Sequence, residues 1–306
     1  MKKNSNNQEQ EENNEDLEIV KKEQPIKFHW YIIGFVSVYF ISWVIPGILF
    51  FLYVLLFFVP YFLDTSNFIL IFTELEPLLS LLFFPIILIL CAFLHIFFAA
   101  AVTKFWYGFT QKISPAKDGV IPRNIPSKTV SLYHIRSFLL KYPKNTIMKG
   151  MFPWLFTWMF NFIGSTDYGK GTTVEEEVCG DRFAITGENC YIGPNASLAS
   201  HLVEGIFGNI YYFKIKLGDN CTVGAETPLA PGTELGDNSY LFPGSATLKF
   251  TEAKGGYYYF GMPIRKLFSR KLKKFLDLTD EDLERAEKLE EKQKQKKENR
   301  DQDGGK

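Results

Sequence analysis

The chain has 306 residues, and its 34 basic and 34 acidic side chains give a formal net charge of zero, which excludes recruitment of nucleic acid by overall charge. Residues 30–63 and 77–103 contain no charged side chain. Such long apolar runs exclude a soluble single-domain enzyme, and the high apolar content excludes a disordered chain. The four cysteines show no CxxC spacing and indicate no disulfide framework.

Residues 1–27 are predicted to be a disordered polar tail, because Asn, Gln and Glu dominate them and the apolar content is too low to offset the entropy of ordering. The apolar run that follows is not expected to be a signal peptide. It is 34 residues long, whereas a typical signal core has about 7–15.

Residues 28–110 are predicted to form two transmembrane helices, one centred on Trp30–Leu63 and one on Pro77–Thr103. The first run would be roughly 50 Å long as a helix, which exceeds a hydrocarbon core of about 30 Å. It therefore has to tilt, kink at Pro46, or extend into the headgroups. His95 lies within the second run, where we favour a neutral imidazole bonded to a neighbouring helix over a proton relay.

The charges that flank the two runs predict the topology. Residues 104–149 carry nine Lys or Arg and one acid, whereas the short connection between the runs carries only acids. The positive-inside rule then places both termini in the cytoplasm of a protein that crosses the plasma membrane twice. Residues 111–160, which are basic and rich in proline, are predicted to be a juxtamembrane linker lying on membrane lipids.

A six-residue repeat dominates residues 217–246, which read LGDNCT, VGAETP, LAPGTE, LGDNSY and LFPGSA. An aliphatic residue begins each hexad, and a small residue follows four positions later. A period of six fits short parallel strands joined by sharp corners, with the aliphatic side chains stacked inside. An earlier pair of hexads begins at Ile192 and Leu198, out of phase by one residue, so we predict an excursion near residues 203–216.

These hexads resemble the left-handed parallel β-helix of the hexapeptide-repeat acyltransferase superfamily. A closer resemblance is to the membrane-tethered C-terminal domains of ε-poly-L-lysine synthetase-like proteins, on the basis of the apolar helix pair, FPWLFTWMFNFIGS, and ENCYIGPNASLASHLVEG. The resemblance implies a membrane-anchored all-β solenoid over residues 161–262. A transmembrane hairpin precedes the solenoid, and residues 263–306 follow it as an amphipathic and then charged C-terminal helix.

His201 is the one histidine among the hexads. Similar acyltransferases use a histidine as general base, and the ordinary pKa of imidazole, about 6.5, suits that role. Glu204 could orient the ring or hold a cationic acceptor. The candidate substrate-binding residues are Ser200, Asn195 and Asn209. An outward-facing His201 without a catalytic role is the alternative.

No metal site is predicted, because the hexads hold one histidine where a zinc hydratase needs three. No bound cofactor is expected, and an acyl-CoA or carrier-protein thioester would be a donor substrate. The leading hypothesis is an acyltransferase that transfers an acyl or aminoacyl group to a small amine or amino acid at the cytoplasmic face, as a homotrimer without nucleic acid. The alternatives are a non-catalytic trimeric membrane scaffold and an O-acyltransferase acting on lipid or sugar hydroxyls.

Overall fold

A computed structural model describes residues 28–65, 67–123, 125–175, 180–206 and 208–267, together with positions 279, 281, 284, 285 and 288. The tail predicted at residues 1–27 and nearly all of the helix predicted at residues 263–306 lie outside the described residues. At the start of that helix the prediction is wrong. Arg265–Lys266 form a strand antiparallel to Tyr258–Phe260, which extends a sheet where a helix was expected.

Two long apolar helices begin the described chain. Helix α1 spans Phe28–Tyr53 and continues as a π-type helix over Val54–Leu63, α2 is the short helix Leu70–Thr73, and α3 spans Leu75–Ile113. By length and composition both long helices could cross a membrane, with mean hydropathies of 2.4 and 2.8. Helix α1 continues through Pro46, and its hydrogen-bond pattern changes only at Val54. The part of the first apolar run beyond Tyr53 therefore continues as π-type helix.

The buried side of α1 repeats about every four residues, at Gly34, Val38, Ser42 and Pro46, and this stripe packs against α3. His95 of α3 bridges neighbouring helices, because its Nδ1 lies 3.3 Å from the Ser42 carbonyl oxygen and its Nε2 lies 3.1 Å from the Tyr142 hydroxyl. The prediction of an imidazole bonded to a neighbouring helix is confirmed.

Residues 111–160, predicted as a linker, contain packed secondary structure. They hold strand β1 (Gly119–Ile121), helices α4 (Lys128–Leu139) and α5 (Lys141–Met148), a 3-10 turn (Pro153–Leu155) and the first part of helix α6 (Phe156–Ile163). Ser127 caps α4 by accepting a hydrogen bond from the Val130 N–H. The prolines permit these helices because they lie outside them or in a first turn, where no helical hydrogen bond is lost.

Short strands make up the rest of the described chain: β2 Thr173–Val174, β3 Ala184–Thr186, β4 Tyr191–Ile192, β5 Ser197–Leu198, β6 His201–Glu204, β7 Asn209–Tyr212, β8 Ile215–Leu217, β9 Thr222–Val223, β10 Pro228–Leu229, β11 Glu234–Leu235, β12 Tyr240–Leu241, β13 Glu252–Ala253, β14 Tyr258–Phe260 and β15 Arg265–Lys266. Three parallel ladders connect most of them. Their orders are β3-β8-β11-β13, β2-β4-β9-β12-β14 and β5-β10.

The register of the ladders follows the hexads. Leu217 pairs with Leu235, and Val223 pairs with Leu241, so each of these strands lies beside the strand three hexads further along the chain. Leu229 and Leu241 are fully buried. The hydrophobic cluster of the ladder interior also contains Phe156 and Phe160 of α6 and Ile96 of α3, so the two regions share one hydrophobic core.

At one point in the ladders, more residues separate two paired strands than elsewhere. Ile192 pairs with Val223, which lies more than five hexads further along the chain instead of three, so the predicted excursion lengthens this period. Most of the added chain is an antiparallel hairpin of β6 and β7, and β1 pairs with the other edge of β7. The hairpin therefore projects from the ladders and is covered by residues 119–139 of the helical region.

Corners between the hexads use left-handed backbone. Residues with positive φ recur at multiples of six before and after the excursion: Asn189, Asn195, Asn220, Glu226, Asn238 and Phe250, with glycines at 232, 244 and 256. Asn and Gly adopt this conformation at the lowest cost. The repeated Asn and Gly in the hexads therefore mark the corners of the chain.

Candidate functional site

His201 opens β6, and its half-buried side chain lies beside α4. Its ring centroid lies 6.0 Å from that of Tyr133, and the opposite residue on β7 is the buried Tyr212. The His201 Nδ1 atom is buried and has no hydrogen-bond partner among the described residues. A buried polar atom left unpaired in a folded protein needs an explanation, such as a catalytic role or a bound ligand.

Charged residues of the segment before β3 lie near enough to this histidine to act on it electrostatically. Asp181 lies 3.3 Å from the Lys144 ammonium group of α5, and the Arg182 Nε lies 4.0 Å from the other Asp181 carboxylate oxygen. The Arg182 guanidinium also sits 5.8 Å from the Tyr133 ring centroid. We call His201, Arg182, Asp181, Lys144 and Tyr133 the junction cluster, because it lies where the helices meet the ladders.

Arg182 is the member of the junction cluster whose hydrogen-bond donors are not all used. Its Nε and Nη1 atoms are buried without a hydrogen-bond partner among the described residues, and its side chain is only 14% exposed. One carboxylate, Asp181, faces two cations, Arg182 and Lys144. The cluster therefore has an excess of positive charge and spare hydrogen-bond donors, which suit an anionic group.

The electrostatics keep His201 neutral. Burial and the nearby Arg182 charge lower the pKa of His201 to about 4. Burial alone would raise the pKa of the Asp181 carboxyl, but Arg182 and Lys144 hold it below its ordinary value. At neutral pH the cluster thus contains an unprotonated imidazole beside an ionised carboxylate and two cations.

Glu204 lies apart from His201. The two residues are three positions apart on β6, and side chains alternate between the faces of a strand, so they project to opposite sides of the hairpin. Glu204 pairs with Lys249, whose ammonium group also lies 3.7 Å from the Tyr211 ring centroid. The structure does not bring Glu204 to the His201 ring.

The three candidate substrate-binding residues do not converge either. The Ser200 hydroxyl is buried and donates a hydrogen bond to the Arg182 carbonyl oxygen. Asn195 is an exposed corner residue, and Asn209 stands opposite Glu204 in the hairpin. Of the three, only Ser200 touches the junction cluster, and it does so by holding the Arg182 backbone.

Sequence reasoning missed Arg182, Lys144 and Tyr133, because each comes from a different segment and only folding brings them together. The available signal was the charged pair Asp181-Arg182 directly before an aliphatic strand, at a position where the hexads elsewhere place small or polar residues. Within the described ranges no three His, Cys, Asp or Glu side chains are grouped as a metal site would require.

Two curated sequences are similar to this chain. Galactoside O-acetyltransferase of Escherichia coli is 35% identical over 75 residues, which are 22% of this chain and 37% of that enzyme. The Bacillus subtilis protein YvoF, assigned as an acetyltransferase, is 25% identical over 151 residues, which are 46% of this chain and 86% of that protein. The chain thus has acetyltransferase homologues, although it spans little more than a third of the E. coli enzyme.

Among solved structures, a hexapeptide-repeat acetyltransferase from Vibrio cholerae in complex with acetyl coenzyme A is 21% identical, over 35% of this chain and 62% of that chain, with a TM-score of 0.32. No family model matches the chain.

Proposed function

We propose that this protein is a membrane-anchored acyltransferase in which His201 is the general base. The observation that carries the proposal is the junction cluster, where a neutral imidazole has a buried nitrogen without a hydrogen-bond partner and the nearby Arg182 has two buried nitrogens, Nε and Nη1, that also lack one. Its place in the excursion of a hexad ladder, in a chain with acetyltransferase homologues, supports acyl transfer as the chemistry.

The proposed reaction needs one proton acceptor. A neutral His201 removes a proton from the amine or hydroxyl group of the acyl acceptor while that group attacks the carbonyl carbon of an acyl thioester. The bond from the acceptor to the acyl carbon forms, the carbon–sulfur bond breaks, and His201 returns the proton to the departing thiolate. Positioned general bases contribute rate factors of about 10²–10⁴.

Arg182 would couple substrate binding to this step. A base works best when its pKa is near the operating pH, and the His201 pKa of about 4 lies below that range because of burial and the Arg182 charge. An anionic group of the donor or acceptor, bound to the spare Arg182 donors, would neutralise that charge. Binding would then raise the His201 pKa towards neutrality only when substrate is present.

The finer assignments are also proposals. We propose that the three ladders are the faces of a left-handed β-helix that assembles as a homotrimer, that Phe28–Leu63 and Leu75–Ile113 cross the membrane, and that both termini are cytoplasmic. The predicted acceptor is an amine or amino acid, from the resemblance to ε-poly-L-lysine synthetase-like proteins. The name of the E. coli homologue favours a hydroxyl acceptor, as in the O-acyltransferase alternative.

The test is release of free thiol from acyl-CoA by the purified full chain, with panels of amine, amino-acid and sugar acceptors. Replacing His201 by Ala should lower kcat by about 10²–10⁴-fold, whereas the matched variant His29→Ala, at the exposed start of α1, should leave it unchanged. Full activity in His201→Ala would refute the assigned base.

A non-catalytic scaffold remains the second candidate, because Glu204 is engaged by Lys249 and the His201 ring is directed towards α4. In a scaffold the unpaired His201 nitrogen has no compensating role, so an apolar replacement such as His201→Leu would raise the melting temperature. Stabilisation of that variant, together with no thiol release by the wild type from any acyl-CoA, would favour the scaffold.

A further inference from the structure

A cavity of about 440 Å³ lies where the first turns of α1, the last turns of α3 and helix α4 meet. Trp30, Trp106 and Phe109 form an aromatic wall, and Leu132 and Ile135 of α4 form an aliphatic one. Its volume is within the range of small-molecule sites, about 300–1,000 Å³. The cavity is separate from the junction cluster, because Tyr133 lies on another side of α4.

The lining changes from polar to apolar along one face of α4. Ser127, Lys128 and Ser131 line the cavity at the start of the helix, and Leu132 and Ile135 line it one turn later. Lys128 is exposed, so its ammonium group is available to a ligand. A cavity that is apolar along its length and cationic at one end matches an amphiphile with an acyl chain and an anionic headgroup.

The position of the cavity indicates the source of such a ligand. Trp30 stands at the beginning of the first charge-free run and Trp106 just after the second, with their ring centroids 6.4 Å apart. Tryptophan concentrates at the boundary between hydrocarbon and headgroups. The polar tail at residues 1–27 adjoins the cavity in sequence, but its Asn-, Gln- and Glu-rich composition does not suit an apolar wall.

We propose that this cavity binds one acyl chain of an anionic phospholipid of the membrane, with the lipid phosphate at Lys128. The proposal rests on the proposed membrane anchorage but not on acyl transfer. The lipid would fill the space between the helix pair α1–α3 and helix α4, which also carries Tyr133 of the junction cluster.

The test uses the full chain in phosphatidylcholine nanodiscs containing phosphatidylglycerol with a photoreactive diazirine in one acyl chain. The crosslinks should map to residues 106–113 and 128–139. Leu132→Trp, which fills the cavity, should lower the crosslinking of these residues several-fold, whereas Leu88→Trp, at a 44% exposed position of α3, should not. Lys128→Glu should remove the preference for phosphatidylglycerol over phosphatidylcholine, and the exposed control Lys170→Glu should retain it.

Circular dichroism of each variant checks that the fold is retained. If a cavity variant does not fold, native mass spectrometry of the detergent-purified wild type still decides, because a specific site should retain one phospholipid per chain. Crosslinks spread evenly over the outer faces of α1 and α3, or no retained lipid, would overturn the lipid site. A chain that stays in the soluble fraction without detergent would instead overturn the membrane anchorage, and His201→Ala should leave lipid binding unchanged.

Discussion

Large apolar side chains point outward in the helical hairpin and inward in the parallel ladders. Phe40 and Phe51 of α1 are 64% and 62% exposed, whereas Leu229 and Leu241 of the ladders are fully buried. The two regions differ in what surrounds them rather than in how apolar these residues are. An uninterrupted charge-free run fits lipid around the helix surface that does not pack against its neighbour. A single aliphatic residue in every six fits an interior that the chain itself encloses.

The strongest test of this contrast removes the ion cluster that joins the two regions. Asp181→Ala leaves the Lys144 and Arg182 charges without their carboxylate in a largely buried place. Breaking a buried ion pair in this way should lower the free energy of unfolding by about 3–5 kcal/mol, measured by chemical denaturation followed by circular dichroism. The control Glu234→Ala breaks an exposed pair with Lys216 and should cost less than about 1 kcal/mol. Equal losses would show that the junction cluster does not hold the regions together.

A second test compares an inward with an outward apolar residue. Leu229→Ala should destabilise the ladders by about 2–5 kcal/mol, because it opens a cavity in a packed column. Phe40→Ala, on the exposed side of α1, should change stability by about 0.5 kcal/mol or less. The same denaturation experiment in nanodiscs measures both. A large loss in Phe40→Ala would mean that α1 is covered by protein rather than by lipid.

A third test measures how stability depends on pH through His201, where the hairpin of the ladder region meets α4 of the helical region. The His201 pKa falls from 6.5 to about 4 on folding, so as the pH drops the unfolded chain takes up a proton first. The contribution of His201 to the free energy of unfolding should therefore be constant above pH 6.5. Between pH 6.5 and about 4 the free energy of unfolding should decline, by a total on the order of 3 kcal/mol. Melting temperatures across this range should show the decline in wild type and in His29→Gln. The decline should be smaller in His201→Gln, where His134, whose pKa is also lowered by burial and by Arg123, still contributes. A decline as large as in wild type would assign the effect to another group.

The smallest expected effect comes from the same substitution placed in both regions. Gly244 is a ladder corner with φ of +70°, and Gly47 lies within α1; a Cβ at either position would meet no atom within 4 Å. Gly244→Ala should cost about 1–2 kcal/mol, because left-handed backbone disfavours a side chain. Gly47→Ala should stabilise by about 0.5–1 kcal/mol, because alanine favours helix. Thermal melting that gave both variants the same sign would contradict the corner geometry.

The six-residue period predicted parallel strands with stacked aliphatic residues, and the structure pairs Leu217 with Leu235, an interval of three whole hexads. The phase break also predicted the excursion. Its hairpin structure was not predicted, since β6 and β7 interrupt the hexads with a different period. The basic, proline-rich composition of residues 111–160 suggested a juxtamembrane linker, whereas the apolar spacing from Val130 to Leu139 buries one side of a helix.

The candidate site could be predicted only in part, because its members come from distant segments. His201 stood out as the one histidine of the hexads, but its ring contact with Tyr133, and the contact of Tyr133 with Arg182, depend on how α4 packs over the β6–β7 hairpin. The pairing of Glu204 with His201 assumed that nearness in sequence means nearness in space. In a strand, a separation of three places the side chains on opposite faces.

The excursion leaves the ladders before and after it in register, since Ile192 still stacks on Val223 across the inserted hairpin. The added residues leave the stack at one corner, return to it, and are held outside it by β1 and α4. The fold thus accommodates an insertion by directing it sideways against the helical region, so the length of one period can change while the columns on either side of it keep their register.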